Sequence, residues 1–265
     1  MISGHLLVTA ILSASLCLTA TQLCGQPSTS SSHKTEASKP DSEAQELLRD
    51  ILAQTPDKPL IMLGALRHRD SDGKRTEIPL RYSIIPEAGG WRGIYETRPT
   101  ASRGAERLEI IRRDNQPNEY LYAVPRGPGE APQPAVSLLG SSTAVPFVGS
   151  DYWLSDLGLE FLHWPNQRLV RDAKIKMRQG RPCKVIESVS PDSSATKYAR
   201  VVSWLDSETG APIYAEGFDD KRQRMKTFSL HGFAKINGRW QPKELEMLDE
   251  RTDSKTRLEL SIVPE

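Results

Sequence analysis

Cysteine is scarce in this sequence. The chain has 265 residues and three cysteines, and Cys17 and Cys24 both lie in the N-terminal stretch. If that stretch is a leader that is removed, Cys183 alone remains, and a single cysteine cannot form an internal disulfide. We therefore expect a buried core to supply the stability, with Cys183 as a buried, unreactive thiol on a strand.

The sequence also lacks an excess of charge of either sign. Lysine and arginine number 35, and aspartate and glutamate number 34, which leaves a formal net charge of +1. A nucleic-acid-binding domain usually carries a clear basic excess. We therefore predict no nucleic-acid partner.

The motifs that mark common enzyme and metal sites are missing as well. Ser141 and Ser150 each follow a glycine, but neither stands in the Gly-x-Ser-x-Gly pattern of a nucleophilic serine. The histidines show no His-x-His or His-Glu-x-x-His spacing, and there is no Cys-x-x-Cys pair. Four of them lie far apart, at His33, His68, His163 and His231. We predict no catalytic residues, no metal site and no cofactor.

One long apolar run is present, at residues 6–23. It is too short and too rich in Ser and Thr for a membrane span, and small residues follow it, which is typical of a signal peptide over residues 1–25. A lipobox requires a small residue before the cysteine, whereas Leu23 precedes Cys24. We expect cleavage near Gly25 and export to the periplasm. A lipid anchor at Cys24 is the alternative.

The pattern of the remaining chain predicts one domain over residues 42–265 that follows a disordered tether over residues 26–41. The tether has too few apolar side chains to offset its ordering entropy. Ser42 and Gln45 have the form of a helix capping box, and Leu48 and Ile51 lie on one face of the helix that follows. Pro56 ends this helix.

Beyond the helix, the apolar period changes to two, and turn residues separate about ten short segments. No alternation of strands and helices appears, which argues against a parallel doubly wound sheet. Short antiparallel strands in this number predict a sheet that curls until it is closed or nearly closed. The main strand segments are Leu60–Arg69, Thr76–Pro86, Trp91–Thr97, Arg107–Arg112, Glu119–Val124, Cys183–Glu187, Tyr198–Asp206, Pro212–Glu216, Met225–Phe228, Trp240–Met247 and Thr256–Ile262.

Between the two groups of strands, residues 145–165 are unusually rich in large apolar side chains. Their spacing predicts one short amphipathic helix, on which Leu157 and Phe161 share a face that points into the barrel. These side chains either fill a core or line a cavity, and the sequence leaves both open. The candidate lipid-binding or lid residues are Phe147, Tyr152, Trp153, Leu157, Phe161 and Trp164.

The same stretch contains Gly149-Ser150-Asp151, followed five residues on by Asp156-Leu157. Together with the hairpin-spaced strands that follow, this order resembles the outer-membrane lipoprotein-sorting protein family, the LolA-like periplasmic carriers, over residues 145–262. Family members generally read Gly-Ser/Thr-Asp-Phe-x-Tyr-Glu-Asp-Leu, so Tyr152-Trp153-Leu154-Ser155 is a departure that leaves the cargo open. We expect Gly149 to form the turn, with Ser150 or Asp151 capping the next helix, and Asp156 to belong to the same motif.

The resemblance implies a mainly β (α+β) fold, a half-open antiparallel β-barrel in which an N-terminal helix and short helices cover an apolar interior. It also implies a non-enzymatic periplasmic carrier or sensor that shields acyl chains in outer-membrane lipoprotein sorting. The expected partners are acylated cargo, either a lipoprotein or a lipid, and donor and acceptor proteins at membranes, with the carrier itself a monomer. Two alternatives stay open: a structural or regulatory domain with a filled barrel, and an enzyme without recognisable motifs.

Overall fold

A computed structural model describes residues 41–114, 116–173, 176–236 and 239–262. The predicted signal peptide, residues 1–25, and all but the last residue of the predicted tether, residues 26–41, lie outside the described residues. Both therefore stay predictions.

The first described helix, α1, spans Ser42–Leu52. Its N-cap is Asp41, whose carboxylate accepts a hydrogen bond from the backbone N–H of Glu43 at 3.0 Å. The predicted capping pair, Ser42 and Gln45, thus lies one residue too far along the chain, because the Asp41 carboxylate is the acceptor placed at the free amides. The apolar face is buried as predicted, and its buried side chains are Ala44, Leu48 and Ile51.

The other helices are single turns. Within the described ranges, no helix is long and apolar enough to cross a membrane. The short helices are α2 (Leu154–Leu157), α3 (Ser193–Thr196) and three 3-10 turns at Gly140–Thr143, Phe147–Gly149 and Glu160–His163.

The described residues form one sheet of fourteen strands, more than the ten or so that the pattern predicts. The extra strands are short ones near the sheet edges, with too few residues to show an alternating pattern. The strands are β1 (Leu60–Arg69), β2 (Arg75–Glu87), β3 (Gly90–Thr97), β4 (Arg107–Arg113), β5 (Glu119–Ala123), β6 (Val136–Leu138), β7 (Asn166–Leu169), β8 (Met177–Arg178), β9 (Arg181–Val189), β10 (Arg200–Asp206), β11 (Pro212–Phe218), β12 (Arg224–Ile236), β13 (Arg239–Asp249) and β14 (Ser254–Ile262).

All described strand pairs are antiparallel, and the order is β6-β5-β4-β3-β2-β1-β14-β13-β12-β11-β10-β9-β7, with β8 also paired to β9. The first and last strands therefore pair with each other in the middle of the sheet. The edges belong to β6 and β7, which do not pair, so the sheet stays open. The predicted half-open, mainly β fold is confirmed.

This topology fixes the position of the segment rich in aromatic residues. The edge strands β6 and β7 are consecutive in sequence, and residues 139–165 connect them. A connection between the two open edges has to cross the opening of the sheet. We call residues 139–165 the cover segment, and we call the face of the sheet that it packs against the inner face.

The single cysteine of the described chain lies on β9. Cys183 is buried, and burial raises the pKa of its thiol. A raised pKa disfavours the reactive thiolate at neutral pH. The prediction of a buried, structural thiol is confirmed.

Candidate functional site

The first half of the cover segment packs on the β1–β5 part of the inner face. Phe147 and Tyr152 are fully buried there, together with Leu66 of β1 and Leu108 of β4. The Phe147 ring meets the Tyr95 ring edge-on, with 6.1 Å between centroids. These two predicted site residues are therefore part of the hydrophobic core.

The second half packs on the β9–β12 part and on α1. Trp153, Phe161 and Trp164 belong to this cluster, which also contains Leu48 of α1. The Trp153 ring lies 4.8 Å from the Tyr198 ring, measured between centroids. Because Tyr152 and Trp153 are adjacent and enter different clusters, the cover segment ties the two halves of the sheet together.

The predicted single helix over residues 154–162 is interrupted. Helix α2 ends at Leu157, and Leu159 has a left-handed backbone with φ of 50° before the 3-10 turn begins. Beside this break, Gly158 lies so close to Tyr120 that an added Cβ atom would be 2.2 Å from the Tyr120 hydroxyl, so glycine is required there. Leu157 and Phe161 consequently do not share a face: Leu157 packs against the first cluster, and Phe161 belongs to the second.

The Gly-Ser-Asp turn fastens the cover segment to the central strands. Gly149 has φ of +70°, a conformation that favours glycine. The Asp151 backbone N–H donates to Thr256 Oγ1 at 3.0 Å, and the Thr256 hydroxyl donates to Asp151 Oδ2 at 2.7 Å. His68 Nδ1 lies 3.2 Å from the same carboxylate oxygen. Asp151 therefore joins the turn to β14 and β1.

The helix cap differs from the expectation. Asp156, and not Ser150 or Asp151, accepts a hydrogen bond from the backbone N–H of Trp153, at 2.9 Å. The Ser150 hydroxyl accepts from Tyr152 N at 3.2 Å, within the turn itself. The Asp151 carboxylate is held by the β14 hydroxyls and is not available to the helix.

A lysine that sequence reasoning missed lies at the centre of this arrangement. Lys226 of β12 is only 2% exposed, and burial lowers the pKa of its ammonium group. Its Nζ donates to Asp156 Oδ2 at 3.0 Å and to the Asp151 carbonyl at 2.6 Å. The ammonium also lies 3.5 Å from the Trp153 ring centroid. The other Asp156 oxygen accepts a hydrogen bond from the Tyr198 hydroxyl at 3.0 Å. The buried ammonium and carboxylate groups are therefore paired with each other and also hydrogen-bonded to further groups.

One small cavity, of about 20 Å³, lies between the cover segment and the inner face, beside Phe161, Phe228 and Met247. A larger cavity, of about 310 Å³, lies at the opening of the sheet, and we call it the rim pocket. Its lining includes Tyr120, Leu138, Leu139, Phe161 and Trp164, with Asn118, Glu160 and His163 as polar members.

Two of the six candidate lipid-binding residues line the rim pocket. They are Phe161 and Trp164, which also belong to the second buried cluster, whereas the remaining four contribute to the clusters without lining the pocket. The four are Phe147, Tyr152, Trp153 and Leu157. The pocket residues contributed by the sheet edge, Leu138 and Leu139, were not singled out from the sequence, because they follow a proline-rich loop and form no periodic pattern.

Three polar side chains of the rim pocket, Asn118, Tyr120 and Glu160, are hydrogen-bonded to one another. The Tyr120 hydroxyl donates to Glu160 Oε2 at 2.7 Å, and Asn118 Nδ2 donates to the same oxygen at 3.1 Å. Burial raises the pKa of Glu160. Burial, with a smaller contribution from the nearby Arg112 charge, lowers the pKa of His163 to about 3. Apart from such polar groups, the lining is mostly aromatic and aliphatic, which suits the binding of an apolar group.

The low pKa of His163 predicts a pH dependence of stability. The unfolded chain binds a proton on this ring below its ordinary pKa of 6.5, whereas the folded protein does so only near pH 3. Stability is therefore lost as the pH falls through this window, and His163 alone contributes a loss of about 2 kcal/mol between pH 7 and pH 5. Urea denaturation at both pH values measures it.

His163→Leu is the matched variant, because leucine is similar in size and does not titrate. Between pH 7 and pH 5 the variant is expected to lose less stability than the wild type by about that 2 kcal/mol. Parallel pH profiles for the two proteins would contradict the assignment to His163.

Comparisons with known proteins agree with this architecture. A family model described as that of an uncharacterized protein matches residues 94–263. No curated protein matches. Three solved structures share the fold, although the sequence identities are low.

The first solved structure is a DUF1329 family protein from Desulfovibrio piger, with a TM-score of 0.65 and 18% identity over 84% of this chain and 92% of that one. The second is described as an outer membrane lipoprotein-sorting protein domain from Vibrio parahaemolyticus, with a TM-score of 0.64 and 17% identity over 83% and 92%. The third is a LolA superfamily protein from Nitrosomonas europaea, with a TM-score of 0.55 and 18% identity over 84% and 94%. Since the family model covers more than half of the sequence, the chain belongs to the family that this model describes, and its fold is LolA-like.

Proposed function

We propose that this protein is a non-enzymatic periplasmic carrier or sensor that binds an acyl chain of a lipoprotein or a lipid in the rim pocket. The observation that carries the proposal is the apolar cavity of about 310 Å³ at the opening of the sheet. Its volume lies at the lower end of the range of small-molecule sites, and its aromatic and aliphatic lining is typical of such sites. The similarity in fold to a domain described as lipoprotein-sorting supports the same class of ligand.

The exposed side chains beside the rim pocket favour an apolar ligand as well. Leu139 is 73% exposed and Val136 is 58% exposed, both next to the open edge of the sheet. Exposed aliphatic side chains of this size beside an apolar cavity are typical of a binding surface. Each methylene of an acyl chain that they help to cover contributes about 0.8 kcal/mol.

One wall of the rim pocket is built in a way that allows it to widen. Strand β6 has three residues and pairs only with β5, at the edge of the sheet. Few ladder hydrogen bonds are broken if this wall moves, whereas the centre of the cover segment is held by the buried Lys226 pair. We propose that cargo enters along β6 and that the cover segment stays in place.

The proposal also includes the setting of the protein. The signal peptide predicted over residues 1–25 directs the chain to the periplasm, and the domain over residues 42–265 acts there as a monomer. Because an acyl chain bound by many methylenes dissociates slowly, release of cargo requires a handover to an acceptor membrane or protein.

A second candidate is a regulatory or structural domain with a filled barrel. The observation that favours it is the packing of the interior, where Phe147, Tyr152 and Trp153 of the cover segment are buried in the two hydrophobic clusters. In this case the rim pocket binds no ligand, and the aromatic residues serve only as core.

The exposed position of Leu139 allows a direct test of the carrier. We expect Leu139→Ser to weaken the binding of N-phenylnaphthylamine, an uncharged apolar probe, and of a diacylated lipopeptide that displaces it. Stability is expected to change by less than about 0.5 kcal/mol, because the side chain is mostly exposed. Fluorescence titration measures the affinity.

Met177→Ser is the matched control, since Met177 is 54% exposed and does not line the rim pocket. Equal losses of affinity in both variants would contradict binding at the rim pocket. Absence of probe binding by the wild type would favour the filled-barrel domain.

Two phenylalanines of the cover segment allow the rim pocket to be distinguished from the core by mutation. Phe161 lines the rim pocket, whereas Phe147 is fully buried in the first cluster. We expect Phe147→Leu to lower the free energy of unfolding by about 1–2 kcal/mol without altering probe affinity. Phe161→Leu should lose less stability and should alter the affinity. Thermal melts beside probe titrations measure both effects, and a clear loss of stability with unchanged affinity for Phe161→Leu would make Phe161 a core residue.

A further inference from the structure

A second cavity, which shares no lining residue with the rim pocket, lies beside the turn that joins β1 to β2. Its volume is about 680 Å³, and most of its lining side chains are basic. We call it the basic pocket. Its lining residues are Arg67, His68, Arg69, Arg75, Thr76, Glu77, Lys255 and Arg257.

Three cations of the basic pocket stand side by side across neighbouring strands. Arg69 of β1 is directly opposite Arg75 of β2 and directly opposite Lys255 of β14. Residues in such register have Cβ atoms about 4.5–5.5 Å apart, and like charges in this position destabilise a sheet. The three like charges therefore destabilise the sheet, and an anion bound between the side chains would offset their repulsion.

Lys255 of this row and the two arginines of the next row are matched by carboxylates. Arg67 and Arg257 stand opposite each other, and Arg67 pairs with Glu259 at 2.6 Å while Arg257 contacts Glu246 at 2.8 Å. Lys255 Nζ lies 3.3 Å from Glu246. These three cations therefore already have anionic partners within the protein.

Arg69 and Arg75 differ from these cations in having no carboxylate partner among the described residues. Neither forms an ion pair or a side-chain hydrogen bond with any residue in the described parts of the chain. The nearest acidic residue in sequence, Asp70, uses a carboxylate oxygen to accept from the backbone N–H groups of Asp72 and Lys74, at 3.1 Å and 2.9 Å. The Asp70 carboxylate thus stabilises the turn, and the guanidinium N–H groups of Arg69 and Arg75 are available to a ligand.

We propose that the basic pocket binds a phosphate group, held by Arg69 and Arg75 with Lys255 beside them. A guanidinium donates two parallel hydrogen bonds to a phosphate, and phosphate has enough oxygens and charge to engage two such groups together. A single carboxylate neutralises only one of them.

The shared chemistry is a phosphate oxyanion, and its source is either free phosphate or a phospholipid headgroup. The site is independent of the proposed acyl binding, because the two pockets have no residue in common. A protein that fails to bind apolar probes can still bind phosphate here.

The test compares two double variants with equal loss of charge. Arg69→Gln with Arg75→Gln removes the unpaired donors, and Arg98→Gln with Arg126→Gln removes two exposed arginines elsewhere on the surface. Inorganic phosphate is titrated into each protein by calorimetry, with acetate at equal ionic strength as the control for screening. In the other arm, the proteins are sedimented with phosphatidylcholine vesicles that contain or lack phosphatidylglycerol.

Saturable phosphate binding that weakens about tenfold or more in the Arg69/Arg75 variant alone would support a site for free phosphate. Recruitment to phosphatidylglycerol vesicles that only this variant loses would support a headgroup as the source. Thermal melts check that each variant is folded, and we expect the Arg69/Arg75 variant to be at least as stable as the wild type at low salt, since a like-charge row is removed. No binding in either arm, or an equal loss in the Arg98/Arg126 variant, would overturn the proposal.

Discussion

The buried contact between Lys226 and Asp156 is the interaction on which the rest of the structure depends. It joins β12 to the cover segment at a point where both side chains are buried. Lys226 also binds the Asp151 carbonyl, so one ammonium group holds both ends of the Gly-Ser-Asp…Asp motif. Because the segment is fixed at this point, its aromatic side chains complete the core on both halves of an open sheet. The cavity that could accept a ligand is consequently displaced to the rim.

The fold was largely predictable, since most strands alternate cleanly and are joined by turns with clear signals. The hairpin around Asp70 and the last strand, with Leu258 and Leu260 on one face, are examples. The short edge strands were not predictable, because β6, β7 and β8 contain between two and four residues. Such lengths carry no measurable period, and they form only because a neighbouring strand is already in place.

The site was predictable in part. The aromatic composition of residues 145–165 correctly marked the segment that covers the inner face, but it did not separate pocket from core. That division arises at the break between Leu157 and Glu160, where Gly158 lies close to the Tyr120 ring. This contact joins residues 38 positions apart, so no local pattern reports it. Lys226 was missed because a lysine on a strand usually faces solvent, although its alternation with Phe228 and Leu230 was a usable signal.

The protein is therefore an open sheet in which the segment that connects the two edges fills the interior, with an apolar pocket at the rim. Lys226 and Asp156 hold that segment in place. The direct measurement is a double-mutant cycle of the free energy of unfolding in urea, with Lys226→Met, Asp156→Asn and the combined variant. The account predicts a loss of about 3–5 kcal/mol for Lys226→Met, because a buried carboxylate is left unpaired, and partial recovery in the combined variant. A loss below about 1 kcal/mol for Lys226→Met, or strictly additive effects, would contradict it.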